Sequence, residues 1–343
     1  MAYIAMKPRF SIIVPLYNKA PYVKKALESI CAQSYRDFEC IVVDDGSTDG
    51  SMDVIRDFVQ NDGMSRLRLN EPLSLNDGRL TIISQPNTGV AAARNNGVAK
   101  SHGEYVCFLD ADDWWEPNFL EEMDWLIKEY PDAGLYAMNF VYYKPRKTHV
   151  EHKNIKTGYV NYPEVYAQTG SMPVWTGAAC MPRKVFDEMG GFPKGIKLGE
   201  DFLLWAKTAL HYKVVFCEKP LSYYNNDVPA SLRATCNLHA PEYNMLFHLN
   251  GIEDELRAKS QESRAEWKAL LDKLRVSGLM DYWLNDEYHD AAAVELKKVD
   301  WCKLPKNAKA QYENPIWLIR TKCRIMQIGS CLKQKLIKMS GKK

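Results

Sequence analysis

The 343-residue chain contains no run of the roughly 18 to 20 apolar residues that a membrane-spanning helix needs. Its start, MAYIAMKPRF, lacks the apolar stretch of a signal peptide, so a cytoplasmic protein is expected. No C-x-x-C pair occurs. The nine cysteines (Cys31, Cys40, Cys107, Cys180, Cys217, Cys236, Cys302, Cys323 and Cys331) are an odd set, several inside apolar runs, which reads as reduced thiols rather than a disulfide framework. The chain also lacks a strong charge of either sign: its formal net charge is +2. That figure hides an asymmetry, because eight basic residues from Arg320 to Lys343 follow the last acid, Glu313, and everything before them sums to 2 − 8 = −6. A net-acidic body argues against nucleic acid as the main partner, since phosphate binding needs basic surface. With 46% hydrophobic and 26% charged residues, disorder and fibrous classes are excluded as well.

What is present is an alternation of short apolar runs and amphipathic segments. FSIIVPL at 10–16 reads as a strand, followed by a helical pattern from Tyr22 to about Gln33; the unit repeats with a strand at 40–45 and a helix preceded by the cap candidates Ser47, Thr48 and Asp49. LTIISQ is a third strand and 90–100 a third helix, while EYVCFLDADD at 104–113 supplies a fourth strand buried on both faces. Further on, helices are expected near 117–130, 183–189 and 200–210, with strands in GLYAMNFVYY, VWTGAACMP and KVVFCEKPLSYY. Segments 61–79 and 145–173 carry no clear periodicity. Alternating strands and helices imply an α/β fold with a mostly parallel sheet flanked by helices, whose ligands collect at the carboxyl ends of the strands. Beyond about residue 235 long helical patterns take over. The expected organisation is an α/β domain over 1–235 and a helical extension over 236–343.

The polar residues that invite a chemical reading all fall at those strand ends. Asp44 and Asp45 close an apolar strand before Gly46, where a carboxylate can bond a base or ribose or cap a helix. In QPNTGVAAARNNG, residues 85–97, small residues permit close helix packing around Arg94, whose guanidinium could pair with a phosphate or with the aspartates. Asp110, Asp112 and Asp113 place three carboxylates within four residues, which repel unless a cation sits among them; hard oxygen ligands select Mg²⁺ or Mn²⁺. Glu200 and Asp201 open a helix where the dipole favours anions, and Trp205 follows one turn later, a candidate for the core or for the acceptor side.

Taken together the residues resemble the family 2 glycosyltransferases of the GT-A (Rossmann-like) fold, over approximately residues 9–233. The resemblance rests on six motifs in order: SIIVPLYN at 11–18, DDGSTD at 44–49, Q-x-N-x-G-x-A-x-A-R-N-x-G at 85–97, DADD at 110–113, G-G-F at 190–192 and G-E-D at 199–201. It implies that Pro15, Tyr17, Asp44 and Asp45 line the donor base, uridine by family habit, that Asp110 touches the ribose, and that Asp112 ligates Mn²⁺ or Mg²⁺. It implies further that Asp201 deprotonates the acceptor hydroxyl and that Glu200 supports or binds the acceptor. The sequence departs from the family pattern at Lys207, where an arginine is common, and at Tyr224-Asn225-Asn226-Asp227, where Y-R-x-H is common; Ser231 matches a frequent family serine.

The resulting expectation is an inverting hexosyltransferase that moves a sugar from a nucleotide-sugar donor to a saccharide or lipid-linked acceptor in polysaccharide or glycolipid synthesis. One carboxylate base and one metal site suffice for that chemistry. Two rivals use the same features. A nucleotidyltransferase would carry a Gly-rich loop and a basic residue near the first strand, where Pro15-Leu16-Tyr17-Asn18 stands instead; a non-catalytic nucleotide-sugar-binding module would not need Asp201. From about 315 an apolar series, Ile316 to Ile337, alternates with basic residues, which suits either peripheral contact with the anionic inner leaflet or docking on the chain's own domain.

Overall fold

A computed structural model describes residues 7–61, 79–229, 233 and 236–313. The aperiodic segment at 62–78, Ser231 and the basic tail from 314 onward lie outside the described residues. The chain divides into two compact units, Met1–Ser260 and Gln261–Lys343, so the residues from 236 to 260 belong with the first.

The first unit begins with three strand–helix repeats. These are β1 (Phe10–Leu16), α1 (Val23–Cys31), β2 (Phe38–Asp44), α2 (Ser51–Asn61), β3 (Leu80–Ser84) and α3 (Val90–Lys100), leading into β4 (Tyr105–Phe108). Every residue of β1 and β4 is buried, as expected for strands covered by helices on both faces. There follow β5 (Trp114–Trp115), α4 (Phe119–Glu129), β6 (Ala133–Tyr143), β7 (His149–Val150), β8 (Gly158–Val160) and α5 (Tyr162–Thr169). The unit continues through β9 (Ala179–Pro182), α6 (Arg183–Met189), α7 (Glu200–His211), β10 (Lys213–Asn225) and α8 (Asn250–Leu256). Segment 145–173, which shows no period, thus forms two short strands and a helix.

The sheet runs β3-β2-β1-β4-β9-β6-β10-β5, with β7 on β6 and β8 on β10. Strands β3, β2, β1 and β4 pair in parallel, and so do β6 and β10. Between these blocks β9 is antiparallel to both neighbours, which brings its amino end to the rim where β1, β2 and β4 end. The register sets Leu16 beside Asp44 and Asp44 beside Ser84, so the polar ends of three strands lie in line.

Two sequence expectations shift. The fourth strand stops at Phe108 rather than reaching 113, because Asp113 turns back to donate its N–H to the Asp110 carbonyl at 3.0 Å. The acidic cluster therefore stands on a turn beyond the ladder. Likewise only 179–182 of VWTGAACMP is strand; Thr176–Ala178 form a 3₁₀ turn.

The second unit comprises α9 (Gln261–Gly278), α10 (Met280–Trp283), α11 (His289–Leu296) and α12 (Lys306–Glu313). Its Arg275 is fully buried and pairs with Glu295 at 3.2 Å. Among the described residues no helix is long and apolar enough to cross a membrane.

Candidate active site

The loops after β1 and β2 are laced together, and the lacing accounts for YN and DDGSTD standing where they do. Asn18 takes a left-handed conformation (φ 51°) that asparagine tolerates better than most residues. Its N–H donates to Ser47 Oγ at 3.1 Å, and its Oδ1 accepts from the Thr48 N–H at 2.8 Å. Lys19 N–H donates to Ser51 Oγ and Ala20 N–H to Asp49 Oδ2, both at 2.9 Å. Asp49 therefore joins the two loops while also accepting from the N–H of Ser51, the first residue of α2. This frame presents Tyr17, 47% exposed, on the same rim as Asp44. Pro15 lies within the buried β1 strand.

The two aspartates at the end of β2 behave differently. Asp44 Oδ1 accepts from the Ser47 N–H at 3.0 Å. Asp45, only 3% exposed, receives the N–H groups of Thr88 and Gly89 at 2.9 Å each, Gln85 Nε2 at 2.8 Å and Thr88 Oγ1 at 3.3 Å. Its charge is thus spent at the N-terminus of α3, the favoured place for an anion. Gln85 is held in turn by Asn96 Nδ2 at 2.7 Å, which gives the first residue of the Q-x-N-x-G motif a structural function.

Helix α3 approaches the sheet closely because of Gly97, where a Cβ would come within 2.5 Å of Ile13 Cγ2 and 3.1 Å of Val43 Cγ2. At that separation consecutive side chains of α3 reach opposite walls of the site. Arg94, 4% exposed, donates through Nη2 to Asp110 Oδ1 at 2.7 Å and through Nη1 to Glu200 Oε1 at 2.8 Å. Of the two partners open to it in the sequence, the structure brings together Arg94 and the acids. Asn95 clamps the backbone before α7: its Nδ2 donates to the Phe192 carbonyl at 2.8 Å and its Oδ1 accepts the Phe192 N–H at 2.9 Å. Gly191 in that segment has φ 71°, and a Cβ there would lie 2.7 Å from Asn95 Oδ1, which explains the G-G-F motif physically.

In the acidic turn each carboxylate meets a different environment. Asp113, 2% exposed, accepts the Asn225 N–H at 2.7 Å, so the cluster is fastened to the end of β10. Burial and the neighbouring Asp112 and Asp110 push its pKa well up. Asp112 pairs with Lys19 Nζ at 2.5 Å; burial raises its pKa, Lys19 opposes the rise and Asp110 adds to it. Burial chiefly, then Tyr142 and the charges of Asp113, Asp112 and Asp110, push the Tyr224 pKa up. Among the described residues no three acidic, histidine or cysteine side chains converge as a metal-binding group; what the turn offers is the hard carboxylate of Asp112, against which the Lys19 ammonium stands.

Across the rim, Asp201 opens α7 after Gly199 (φ 82°). Its Oδ2 accepts from Thr176 Oγ1 and its Oδ1 from the Phe202 N–H, both at 2.8 Å, so the partly exposed Asp201 is held in one orientation by the turn before β9 and by the first turn of α7. Glu200 beside it is 7% exposed; burial first, and then the charge of Asp201, push its pKa up to about 7 against the lowering effect of Arg94. Trp205 is 1% exposed and packs edge-on to Phe192 (5.6 Å) and tilted on Phe108 (6.1 Å), so its ring is part of the core. Lys207 donates to the Met189 carbonyl at 3.1 Å. Asn95 stands within the Q-x-N-x-G-x-A-x-A-R-N-x-G motif and Asn225 within the departure at Tyr224–Asp227, whereas the sequence gives no signal for Lys19 or Thr176, because nothing in their spacing announces Asp112 or Asp201 as a partner.

A doubly wound half-sheet with acids at its carboxyl rim is the architecture of nucleotide-binding α/β enzymes. Over 92% of this chain and 88% of the other, it superposes on S. aureus TarS residues 1–349, solved in complex with UDP-GlcNAc, with a TM-score of 0.66 at 18% identity. The fold is thus the GT-A fold. Residues 11–190 match the sequence profile described as glycosyl transferase family 2, and the chain belongs to that family. It is 38% identical over 122 residues to glycosyltransferase GlyA of Streptococcus pneumoniae, covering 36% of this chain and 15% of GlyA. It is 34% identical over 116 residues to TuaG of Bacillus subtilis, provisionally named a teichuronic acid biosynthesis glycosyltransferase, covering 34% of this chain and 40% of TuaG. The matched segment therefore spans less than half the length of either relative.

Proposed function

We propose that the protein is an inverting glycosyltransferase that moves a sugar from a nucleoside-diphosphate sugar, uridine-linked, to a hydroxyl of a saccharide or lipid-linked acceptor during cell-surface polysaccharide or glycolipid synthesis. The observation that carries this reading is Asp201, an oriented, partly exposed carboxylate held by Thr176 and separate from the acidic turn. A nucleotide-binding module has no use for such a group. Family membership, the UDP-GlcNAc bound to TarS and the teichuronic acid assignment of TuaG support the substrate class.

In this reading Pro15, Tyr17 and Asp44 line the base, with Asp45 holding the loop that shapes the pocket, and Asp110 meets the ribose. Asp112 would ligate Mn²⁺ or Mg²⁺, which when bound supplies positive charge for the departing diphosphate. Asp201 takes the proton of the acceptor hydroxyl as its oxygen attacks the anomeric carbon; the carbon–oxygen bond to the diphosphate breaks on the opposite face, and the nucleoside diphosphate leaves with the electron pair. Glu200 borders the acceptor side. The basic, apolar-striped sequence beyond 315 is assigned to contact with anionic membrane, where a lipid-linked acceptor would be found.

A screen of nucleotide-sugars for Mn²⁺- or Mg²⁺-dependent thermal stabilisation, followed by transfer with release of nucleoside diphosphate, tests the reading. Release of pyrophosphate would transfer the case to a nucleotidyltransferase, and binding without hydrolysis or transfer to a passive module.

A further inference from the structure

We infer that Arg94 is a positioning residue: a buried tie that fixes the donor-side carboxylate Asp110 to the acceptor-side helix α7, and not a ligand of the donor phosphates. This rests on the glycosyltransferase reading above and assigns Arg94 a place within it.

Three observations carry it. First, both terminal nitrogens of the guanidinium are engaged, one with Asp110 at 2.7 Å and the other with Glu200 at 2.8 Å, residues 90 positions apart in sequence on opposite sides of the site. Second, the group is inaccessible. The Arg94 side chain is 4% exposed, its Nε is buried without a hydrogen-bond partner, and its Cζ lies 5.1 Å from the centre of the Phe192 ring. A phosphate would have to strip one carboxylate from the fork to reach it. Third, the neighbouring Asn95 holds Phe192 through two hydrogen bonds, so adjacent residues of one helix grip both the segment leading into α7 and its first residue. Asp201 is the next residue along.

Asp110, by contrast, keeps 28% of its side chain exposed, so it can face a ribose on one side while Arg94 holds the other. The fork thereby sets the separation between the donor's ribose and the base on Asp201. Arginine suits this role because a planar fork satisfies two carboxylates in fixed directions, while a lysine offers one point charge. Burial works against the Arg94 charge, but Asp110 and Glu200 more than offset it, and the guanidinium stays ionised.

The test uses the full chain and two readouts. Double-mutant cycles pairing Arg94→Met with Glu200→Gln and with Asp110→Asn are followed by urea unfolding. The tie predicts that each pair is non-additive by about tenfold or more in the unfolding equilibrium constant; additivity in both cycles overturns it whether or not the protein is a transferase. The second readout is initial-rate kinetics with UDP-N-acetylglucosamine and MnCl₂, together with UDP binding, for wild type, Arg94→Lys and the double variant Arg94→Met/Glu200→Gln, which strands no buried charge at position 200. A misplaced base predicts kcat lower by about 100-fold, with donor KM and UDP affinity changed by no more than Asp110→Asn alone changes them. A donor KM that rises by as much as kcat falls, or rises alone, makes Arg94 a donor ligand and overturns the inference. So does Arg94→Lys at full kcat. Wild-type protein that binds neither UDP nor the donor counts against the substrate class, and the unfolding cycles then decide the tie alone.

Discussion

Asp45 offers the sharpest separation between holding the site together and touching the ligand. Its two oxygens take four donors, two of them backbone N–H groups at the start of α3, in a place 3% exposed. In Asp45→Ala the Thr88 and Gly89 N–H groups lose their acceptor. A stranded buried donor costs about 1–3 kcal/mol, and losing an anion from a helix N-terminus costs roughly 0.3–1 kcal/mol more. Water entering the vacated space returns part of this, so the expected loss is about 3 kcal/mol. For a unit of this size that lowers the melting temperature by about 6–12 °C. Asp45→Asn, which keeps one carbonyl oxygen but turns an amide toward a backbone donor, should fall between the two. The assay is calorimetric or fluorescence-monitored melting of the unliganded protein, so that ligand affinity plays no part. An Asp45→Ala protein that melts with the wild type while losing UDP affinity would refute the reasoning and make Asp45 a direct base ligand.

Other expectations follow from the same geometry. Glu200, raised to about 7 from an ordinary 4.5, holds its proton in the folded chain between those values while the unfolded chain has released it. Its stabilising contribution is therefore fully present below pH 4.5 and lost as pH rises through 7. Relative to Glu200→Gln the wild type should lose stability as pH rises through that window in urea titrations; a difference that moves the other way contradicts the assignment. Lys19 sits 2.5 Å from Asp112 with both side chains largely covered, so Lys19→Ala should raise Mn²⁺ affinity in the absence of nucleotide about fivefold, the equivalent of one ion pair of about 1 kcal/mol. Weaker Mn²⁺ binding by calorimetry would mean that Lys19 does not compete with the cation. Gly191→Ala, with φ 71° and a Cβ 2.7 Å from Asn95 Oδ1, should destabilise by about 2 kcal/mol in urea unfolding, whereas Gly190→Ala, with open space around it, carries only the backbone cost.

The alternation of strands and helices was legible because strands such as β1 and β4 are near-continuous apolar runs, buried at every residue, that end at polar residues. The antiparallel insertion of β9 was not: ACMP is too short and too uniformly apolar to declare its direction, and only pairing with β4 and β6 determines it. The same holds at the site. Asp112 and Asp201 stand out because charge beside a strand or helix end is costly without a partner, and Arg94 because it is a cation set among the small residues of α3. What sequence withholds is which partner. Asp45 reads like Asp44 until α3 folds back onto it, and Arg94, open in the sequence to a phosphate or to the aspartates, is set by the fold between Asp110 and Glu200. Trp205 illustrates the opposite case, a ring whose spacing from Asp201 places it near the site while the aromatic packing of Phe108 and Phe192 draws it into the core.

The central claim is that Asp201 is the base of a metal-assisted sugar transfer. The most direct measurement compares wild type with Asp201→Asn in a coupled assay of nucleoside diphosphate release on the donor that stabilises the wild type, with UDP binding measured alongside. The amide matches the carboxylate in shape, keeps one oxygen to accept from Thr176 or from the Phe202 N–H, and cannot take a proton, so the turnover number should fall by about 100- to 10,000-fold while UDP affinity is unchanged. An Asp201→Asn protein that transfers sugar at the wild-type rate would contradict the account.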